Sequence, residues 1–334
     1  MVPSVHGRGS SEPAPSAAYR RLSGPAPSRP ARAAGGPSVT ELGKRPWLVI
    51  GPGRLGCALA AALAHAGTAV RLVGRRAGDW QDFAAARGIE TLVSEPQAAL
   101  LGPETVCFFA VPDDALPELV RAWQQVLPAE VAAVAHGSGA LGLELLAGFP
   151  AAMQLAIHPM RALPPRGTEA ALQGAPLTLL ASTATARAAA QQWVESVGAR
   201  AIPFAESADR SRYHLACSLA ANHLTGLLIR ATELATAALG PEGAQAGVLA
   251  LAESALDRLR EHGAADALTG PLVRGDRGTL RAHLRGLNAE DAARYLSQLE
   301  ELLEVAVSCG RLEPASAAAL REEMRAFARE EGQA

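Results

Sequence analysis

The sequence has almost no lysine. Lys44 is the single one in 334 residues, and it sits just ahead of the first apolar run, away from any plausible pocket. A catalytic lysine is thereby excluded, so any proton donor has to be a histidine, tyrosine, cysteine or carboxyl. Cysteine is scarce and scattered: Cys57, Cys107, Cys217 and Cys309 lie far apart, with no Cys-x-x-Cys pair. This excludes a disulfide frame or a zinc site and reads as single buried thiols in a reducing compartment, so a cytoplasmic location is expected. No apolar run reaches the length needed to span a bilayer, so no membrane partner is expected. The net charge of −2 argues against a general nucleic-acid or anionic-membrane surface.

The chain is long enough for two domains, and 49% of it is hydrophobic, which supplies a large core if the apolar segments pack. The most informative stretch runs from Trp47 to Arg76. An apolar run, Trp47 to Ile50, leads into Gly51-Pro52-Gly53-Arg54-Leu55-Gly56 and an alanine- and leucine-rich segment, Cys57 to His65. A second apolar run, Ala69 to Val73, ends in Gly74-Arg75-Arg76. That order is strand, glycine turn, helix, strand, the context that a Gly-x-Gly-x-x-Gly pattern requires. Gly51 turns the chain off the strand, Gly53 lets a pyrophosphate approach the backbone, and Gly56 lets the helix pack close. The N–H groups opening the helix then face the phosphates.

The end of the second strand discriminates between cofactors. A carboxylate there holds the ribose 2′-hydroxyl of NAD. Here Arg75 and Arg76 offer guanidinium forks suited to a 2′-phosphate. NADP is the expected cofactor. NAD is the second choice, kept open by Asp79, which comes a little late for the acidic role. The alternative reading of both arginines is a solvated surface pair.

In chain order, Met1 to about Gly43 is rich in Pro, Ser, Ala, Gly and Arg without hydrophobic period, and is expected to be disordered. A mis-assigned start explains it most simply; an organelle presequence is the alternative. Strands and helices then alternate: helix Trp80–Arg87, strand Glu90–Val93, strand Thr105–Val111, helix Leu116–Val126, strand Glu130–Ala135, strand Ala152–Ile157, strands Leu177–Ala181 and Ala201–Phe204 flanking a helix from Thr185 to Val197. Such alternation predicts a mostly parallel sheet with helices on both faces and ligands beyond the C-terminal strand ends. Three strand ends therefore face the cofactor: Gly51 to Gly56, Val111-Pro112-Asp113-Asp114, and His136-Gly137-Ser138-Gly139. From Ser207 to Leu239 the chain reads as one helix of roughly 30 residues, and further helices follow. The expected division is residues 1–45 as extension, 46–204 as an α/β Rossmann domain and 205–331 as an all-α domain for substrate and dimerisation.

The candidate chemistry sits at these ends and on the long helix. His158, in a His-Pro pair after a strand, suits proton transfer near neutral pH, and Ser138 could bond the same oxygen. The alternatives are a backbone-bonded loop histidine and an N-cap for a helix over Ala140–Leu146. His214, Ser218 and Asn222 recur at steps of four on one helical face, with Tyr213 nearby. They read as ligand contacts or as a satisfied core network. Arg274 could clamp a carboxylate, or belong to a salt-bridged connector between helices. Asp276 is either a substrate contact or, like Thr279, a helix cap.

Together, GPGRLG, Val111 to Asp114, His136 to Ala140 (HGSGA), His158-Pro159, Tyr213-His214 with Asn222, and Leu268 to Asp276 (LTGPLVRGD) resemble one known group. The chain resembles bacterial Rossmann-like proteins that carry a C-terminal domain of unknown function, over roughly Pro46 to Leu299, most of the chain. Its wider architecture is similar to ketopantoate, pyrroline-5-carboxylate, prephenate and β-hydroxyacid oxidoreductases. The resemblance implies an N-terminal NAD(P) domain, an all-α 6-phosphogluconate-dehydrogenase-like C-terminal domain and often a homodimer. It also implies, through relatives linked to pantothenate synthesis, a ketopantoate reductase-like activity. Ketopantoate reductases and β-hydroxyacid dehydrogenases use a lysine that this chain lacks. Ser138 and His158 match the serine and His-Pro histidine of prephenate dehydrogenases. The expectation is an NADP-dependent oxidoreductase for a small carboxylated ketone. In it His158 is the acid/base with His214 in reserve, Ser138 and Asn222 orient the substrate, and Ser218, Arg274 and Asp276 contact it. The alternatives are a prephenate/arogenate-like or imine substrate, and a non-catalytic NADP-binding regulator.

Overall fold

The computed structural model describes residues 42–97, 102, 104–126, 131–149, 152–330 and 332. The expected disordered extension therefore lies almost wholly outside the described residues, as does Glu130 at the expected start of its strand. By internal contacts the chain divides into a unit from Ala33 to Gly226 and a unit that contains Leu227–Ala334.

The first unit is an eight-stranded sheet in the order β3-β2-β1-β4-β5-β6-β7-β8. Its strands are β1 (Trp47–Ile50), β2 (Val70–Gly74), β3 (Glu90–Val93), β4 (Val106–Phe109), β5 (Ala133–His136), β6 (Met153–Pro159), β7 (Pro176–Ala181) and β8 (Arg200–Pro203). The first six strands pair in parallel, as the strand–helix alternation leads one to expect. The order reverses between β1 and β4, which leaves a crevice at their C-terminal ends. β7 departs from the pattern: it runs antiparallel to β6, with His158 opposite Thr178, and β8 runs parallel to β7.

The short apolar runs become strands because both faces are covered, so neither residue parity meets water. On one face Val49, Leu72, Phe108, Ala135 and Ile157 join one core with residues of α1 (Arg54–His65) and α4 (Ala184–Ser196). On the other, Leu48, Ile50, Cys107, Phe109 and Val134 join a second core with α3 (Leu116–Gln124). Trp47 anchors the first, stacked 4.6 Å from Trp193 and donating from Nε1 to the Leu42 carbonyl. Truncating such a ring to alanine costs about 3–5 kcal/mol. A short α2 (Trp80–Ala85) precedes β3.

The long helix expected from Ser207 starts three residues later, because Asp209 caps α5 (Arg210–Ser218) by accepting from the Arg212 N–H. It then passes through one π-helical turn, Leu219–His223, into α6 (Leu224–Ala267). Within α6 the backbone is non-helical at Gly240 (φ 71°) and Gly263 (φ 75°), so the first straight stretch ends where the expected helix ends. The expected helix over Ala140–Leu146 is only a 3₁₀ turn, Leu143–Leu146.

In the second unit, α7 (Arg277–Arg285), α8 (Ala289–Ser308) and α9 (Pro314–Glu330) enclose a core of Leu272, Leu280, Leu284, Leu299, Leu303, Leu320 and Met324. No helix among the described residues is long and apolar enough to cross a membrane.

Candidate active site at the strand ends

The three glycines of the turn differ in what demands them. Gly51 has φ 106°, and a Cβ there would stand 2.5 Å from the Ala110 carbonyl oxygen. At Gly56 a Cβ would stand 1.9 Å from the Gly51 carbonyl oxygen, so α1 packs directly on the turn. Both are requirements of the fold. Gly53, the N-cap of α1, has φ −77°, ordinary for any residue, and its Cβ would come no closer than 4.0 Å to Ala110. No described neighbour requires glycine at that position. The open space beside it leaves a ligand room to approach the backbone, and the residues therefore fit a dinucleotide phosphate group. Pro52 and Leu55 flank this spot, and Arg54 donates to the Leu163 carbonyl at 3.2 Å.

At the end of β2, a Cβ on Gly74 would stand 2.6 Å from the Trp80 ring, so a carboxylate side chain has no room there. Arg75 and Arg76 are exposed and form no ion pair with a described residue. Asp79 is ion-paired with Arg166, which holds its carboxyl below the usual range. The carboxylate that kept NAD open thus has a protein partner. The β4 end carries Val111, Pro112 and Asp113, with Val111 packed over Gly51.

The β5 end is built on a buried histidine that the sequence reading assigned no role. His136 bonds from Nε2 to the Gly142 carbonyl at 3.0 Å and accepts at Nδ1 from the Ser138 N–H at 3.2 Å. Those partners fix a neutral Nε2–H tautomer, and burial pushes its pKa down to about 4. Ser138 Oγ accepts from the N–H groups of Ala140 (3.1 Å) and Leu141 (2.9 Å), so it ties the loop rather than N-capping a helix over Ala140–Leu146, since the 3₁₀ turn there begins from Gly142; its own proton is left to donate.

At the end of β6, His158 Nδ1 lies 2.7 Å from the Tyr213 hydroxyl, which lies 3.1 Å from Thr178 Oγ1. Thr178 in turn donates to the His158 carbonyl at 3.3 Å. Burial, then the charges of His214 and Arg210, hold His158 at a pKa of about 4, and burial raises Tyr213 to about 12. His158 is thus a neutral imidazole at neutral pH and Tyr213 a neutral phenol. Two proton arrangements close the chain. In one, Thr178 turns its proton from the carbonyl to Tyr213, Tyr213 donates to Nδ1 and Nε2 carries the proton. In the other, Nδ1 donates to Tyr213, Tyr213 donates to Thr178, and Nε2 is a bare acceptor. Nε2 faces Gly139, whose added Cβ would stand 3.1 Å from it and 2.7 Å from His214 Cδ2. The two imidazoles meet edge to face at 5.9 Å.

Ser138, His158 and His214 are therefore brought together around Gly139, with Tyr213 bonded to His158. Ser218 and Asn222 follow on the same run of helix, but the π turn re-aims it. His223 Nδ1, five residues on, meets the Ser218 carbonyl at 3.3 Å, and Asn222 is exposed. Such turns often occur at functional sites. Two members of the cluster were missed in the sequence. Thr178 gave no signal because the direction of β7 is invisible there. Arg210 sits at the first turn of α5, its Nη2 2.7 Å from the Ser138 carbonyl and its guanidinium over the Phe204 ring at 4.8 Å. Arg274 and Asp276 belong to the other unit. There Asp276 caps α7, its oxygens taken by the Thr279 N–H (3.1 Å) and hydroxyl (2.7 Å), while Arg274 is exposed in the turn before it.

A mostly parallel sheet in this order, with a glycine turn at its switch point, defines a Rossmann-like protein. The family models agree: a Rossmann-like domain matches residues 43–159, and a domain of unknown function, DUF2520, matches residues 175–301. The chain belongs to the Rossmann-like proteins with this C-terminal domain. No curated protein matches it. Among solved structures it is similar to a provisionally assigned NADP oxidoreductase from Bacteroides fragilis, at 20% identity over 86% of this chain and 98% of that one, TM-score 0.62. A pyrroline-5-carboxylate reductase from Coxiella burnetii matches at 15% identity over 85% and 98%, TM-score 0.51. An NADH-preferring ketol-acid reductoisomerase from an uncultured archean matches at 16% over 86% and 96%, TM-score 0.56. At these identities the likeness is one of fold.

Proposed function

We propose that the protein is an NADP-dependent oxidoreductase acting on a small carboxylated ketone, with 2-dehydropantoate (ketopantoate) as the named candidate. One observation carries the reading: a neutral histidine, held by Tyr213 and Thr178, stands at the β6 end of the same sheet whose β1 end carries a glycine with room for a Cβ. Gly51, Pro52, Gly53, Arg54, Leu55 and Gly56 would hold the pyrophosphate, Arg75 and Arg76 the 2′-phosphate, and Val111, Pro112 and Asp113 the neighbouring ribose. When bound, the nicotinamide supplies or accepts a hydride. His158 Nε2 gives or takes the accompanying proton, Ser138 bonds the substrate oxygen, and His214 and Asn222 complete the polar wall. A steady-state screen with NADPH and ketopantoate tests this. Turnover above that of His158→Ala is expected, and its absence disposes of the named substrate.

The neutral state of His158 favours a second substrate class. A ketone needs both a hydride and a proton, and an imidazole of pKa about 4 carries a spare proton only when a bound anion raises that value. An iminium carbon needs only the hydride. A cyclic imino acid is therefore the alternative; an arogenate-like substrate, an alcohol that gives up a hydride and a proton, is a third, with neutral Nε2 as the base. Pyrroline carboxylate with NADPH, and prephenate or arogenate with NADP+, tell these from the first. A signalling protein that binds NADP without turnover would show intact binding and no activity toward any of them.

A homodimer is part of the proposal. Leu234, Leu239 and Leu251 are 55%, 59% and 73% exposed along α6, and burying them against a second copy would gain about 25 cal/mol per Å². Sedimentation at micromolar protein should give twice the chain mass of 34.4 kDa.

A further inference from the structure

Among the described residues, Arg45, Arg87, Arg187 and Arg210 each have a buried Nε with no hydrogen-bond partner. Three of them spend their charge on a carboxylate: Arg45 on Glu104, Arg87 on Glu169 and Arg187 on Glu206. Arg210 differs. It forms no ion pair with a described residue, and its one hydrogen bond goes to the Ser138 carbonyl. A half-buried guanidinium without a counter-ion is costly, and here the Phe204 ring beneath it fixes its plane. Burial pulls its pKa below the usual arginine value, with Tyr213, Glu144 and Asp113 opposing at longer range. Its place decides which anion it suits. Arg210 is tied to the β5 end beside His158, whereas the phosphate-binding turn is at the β1 end.

We propose that Arg210 is the anchor for the substrate carboxylate, gripping it through the guanidinium edge not used by Ser138 and so setting the reactive carbon beside His158. This rests on the oxidoreductase reading above and adds to it the residue that selects acids over neutral carbonyl compounds. It also gives the carboxylate a seat on the sheet-bearing unit, independent of Arg274. A carboxylate bound there would neutralise the charge that helps keep His158 unprotonated, so the substrate itself would prepare the proton donor.

Calorimetry with oxamate as the carboxylate probe, run with and without NADPH, tests this. Oxamate should bind the wild-type protein, and Arg210→Gln should weaken it by about tenfold or more, as loss of a charged hydrogen-bond pair does. NADPH affinity should stay unchanged. Arg210→Lys keeps the charge but loses the fork, and should give an intermediate loss. It also decides the matter if the glutamine variant does not fold. Binding of oxamate to either variant as tightly as to wild type overturns the proposal, and so does failure of oxamate to bind wild type. Weaker NADPH binding in Arg210→Gln would reassign the arginine to a cofactor phosphate and likewise overturn it. If NADPH alone does not bind wild type, the cofactor reading fails instead, and the oxamate titrations without NADPH still decide the role of Arg210.

Discussion

Gly53 and Gly56 lie three residues apart in one turn, yet alanine at each should do opposite things. At Gly56 the new Cβ would stand 1.9 Å from the Gly51 carbonyl oxygen, and backbone cannot yield that distance without moving α1 off the sheet. Overpacking of this kind costs about 1–3 kcal/mol, and more where backbone must shift. At Gly53 the nearest atom is 4.0 Å from the new Cβ, and the φ of −77° suits alanine. Restricting the unfolded chain should stabilise by about 0.4–1 kcal/mol, offset by alanine being the poorer N-cap. The net change should stay within roughly 0.5 kcal/mol. If Gly53 exists to admit a phosphate, the same methyl should lower NADPH affinity by about tenfold or more, equivalent to about 1.4 kcal/mol. Urea melts of both variants and calorimetric NADPH titration of Gly53→Ala give the answer. A Gly53→Ala protein of normal stability that binds NADPH like wild type would refute the reading of the turn as a ligand site.

Other expectations follow from the same geometry. His136 and His158 each have a folded-state pKa of about 4, below the ordinary 6.5, so the unfolded chain binds more protons between those values. Stability from both is therefore complete above about pH 6.5 and lost as pH falls towards 4; for fully buried His136 this amounts to roughly 3 kcal/mol. Two imidazoles still neutral at pH 5.5 by NMR would agree, and titration of all histidines near 6.5 would not. Tyr213→Phe keeps the ring but leaves buried Thr178 without one partner, at a cost of about 1 kcal/mol, and should change the ¹⁵N shift of His158 Nδ1. An unchanged shift would sever the proposed link between them. Alanine at both Arg75 and Arg76 should weaken NADPH about tenfold or more and leave NADH unaffected; equal losses for both would remove the 2′-phosphate assignment.

The sequence shows most of the strands because parallel strands buried on both faces are continuous apolar runs, as at Trp47–Ile50 and Val106–Phe109. It shows the glycine turn because spacing there is the chemistry. Direction is another matter. Nothing in Pro176–Ala181 tells that it returns antiparallel to β6, and only that return sets Thr178 against His158. The π turn at Leu219–His223 is equally hidden, since its residues read as ordinary helix, and it displaces Asn222 from the face that a regular helix would share with His214 and Ser218. Ser138 and His158 were visible as strand-end residues. Arg210 was not, because an arginine opening a polar helix turn is ordinary until burial and the absence of a carboxylate partner are known.

The most direct measurement is calorimetric titration of the purified protein with NADPH and with NADH. Saturable uptake of NADPH, tighter than NADH and weakened in Gly53→Ala, is the expected result. No heat and no uptake of either nucleotide at saturating protein would contradict the oxidoreductase reading, and His158, Tyr213 and Thr178 would then be no more than a buried polar cluster holding β6, β7 and α5 together.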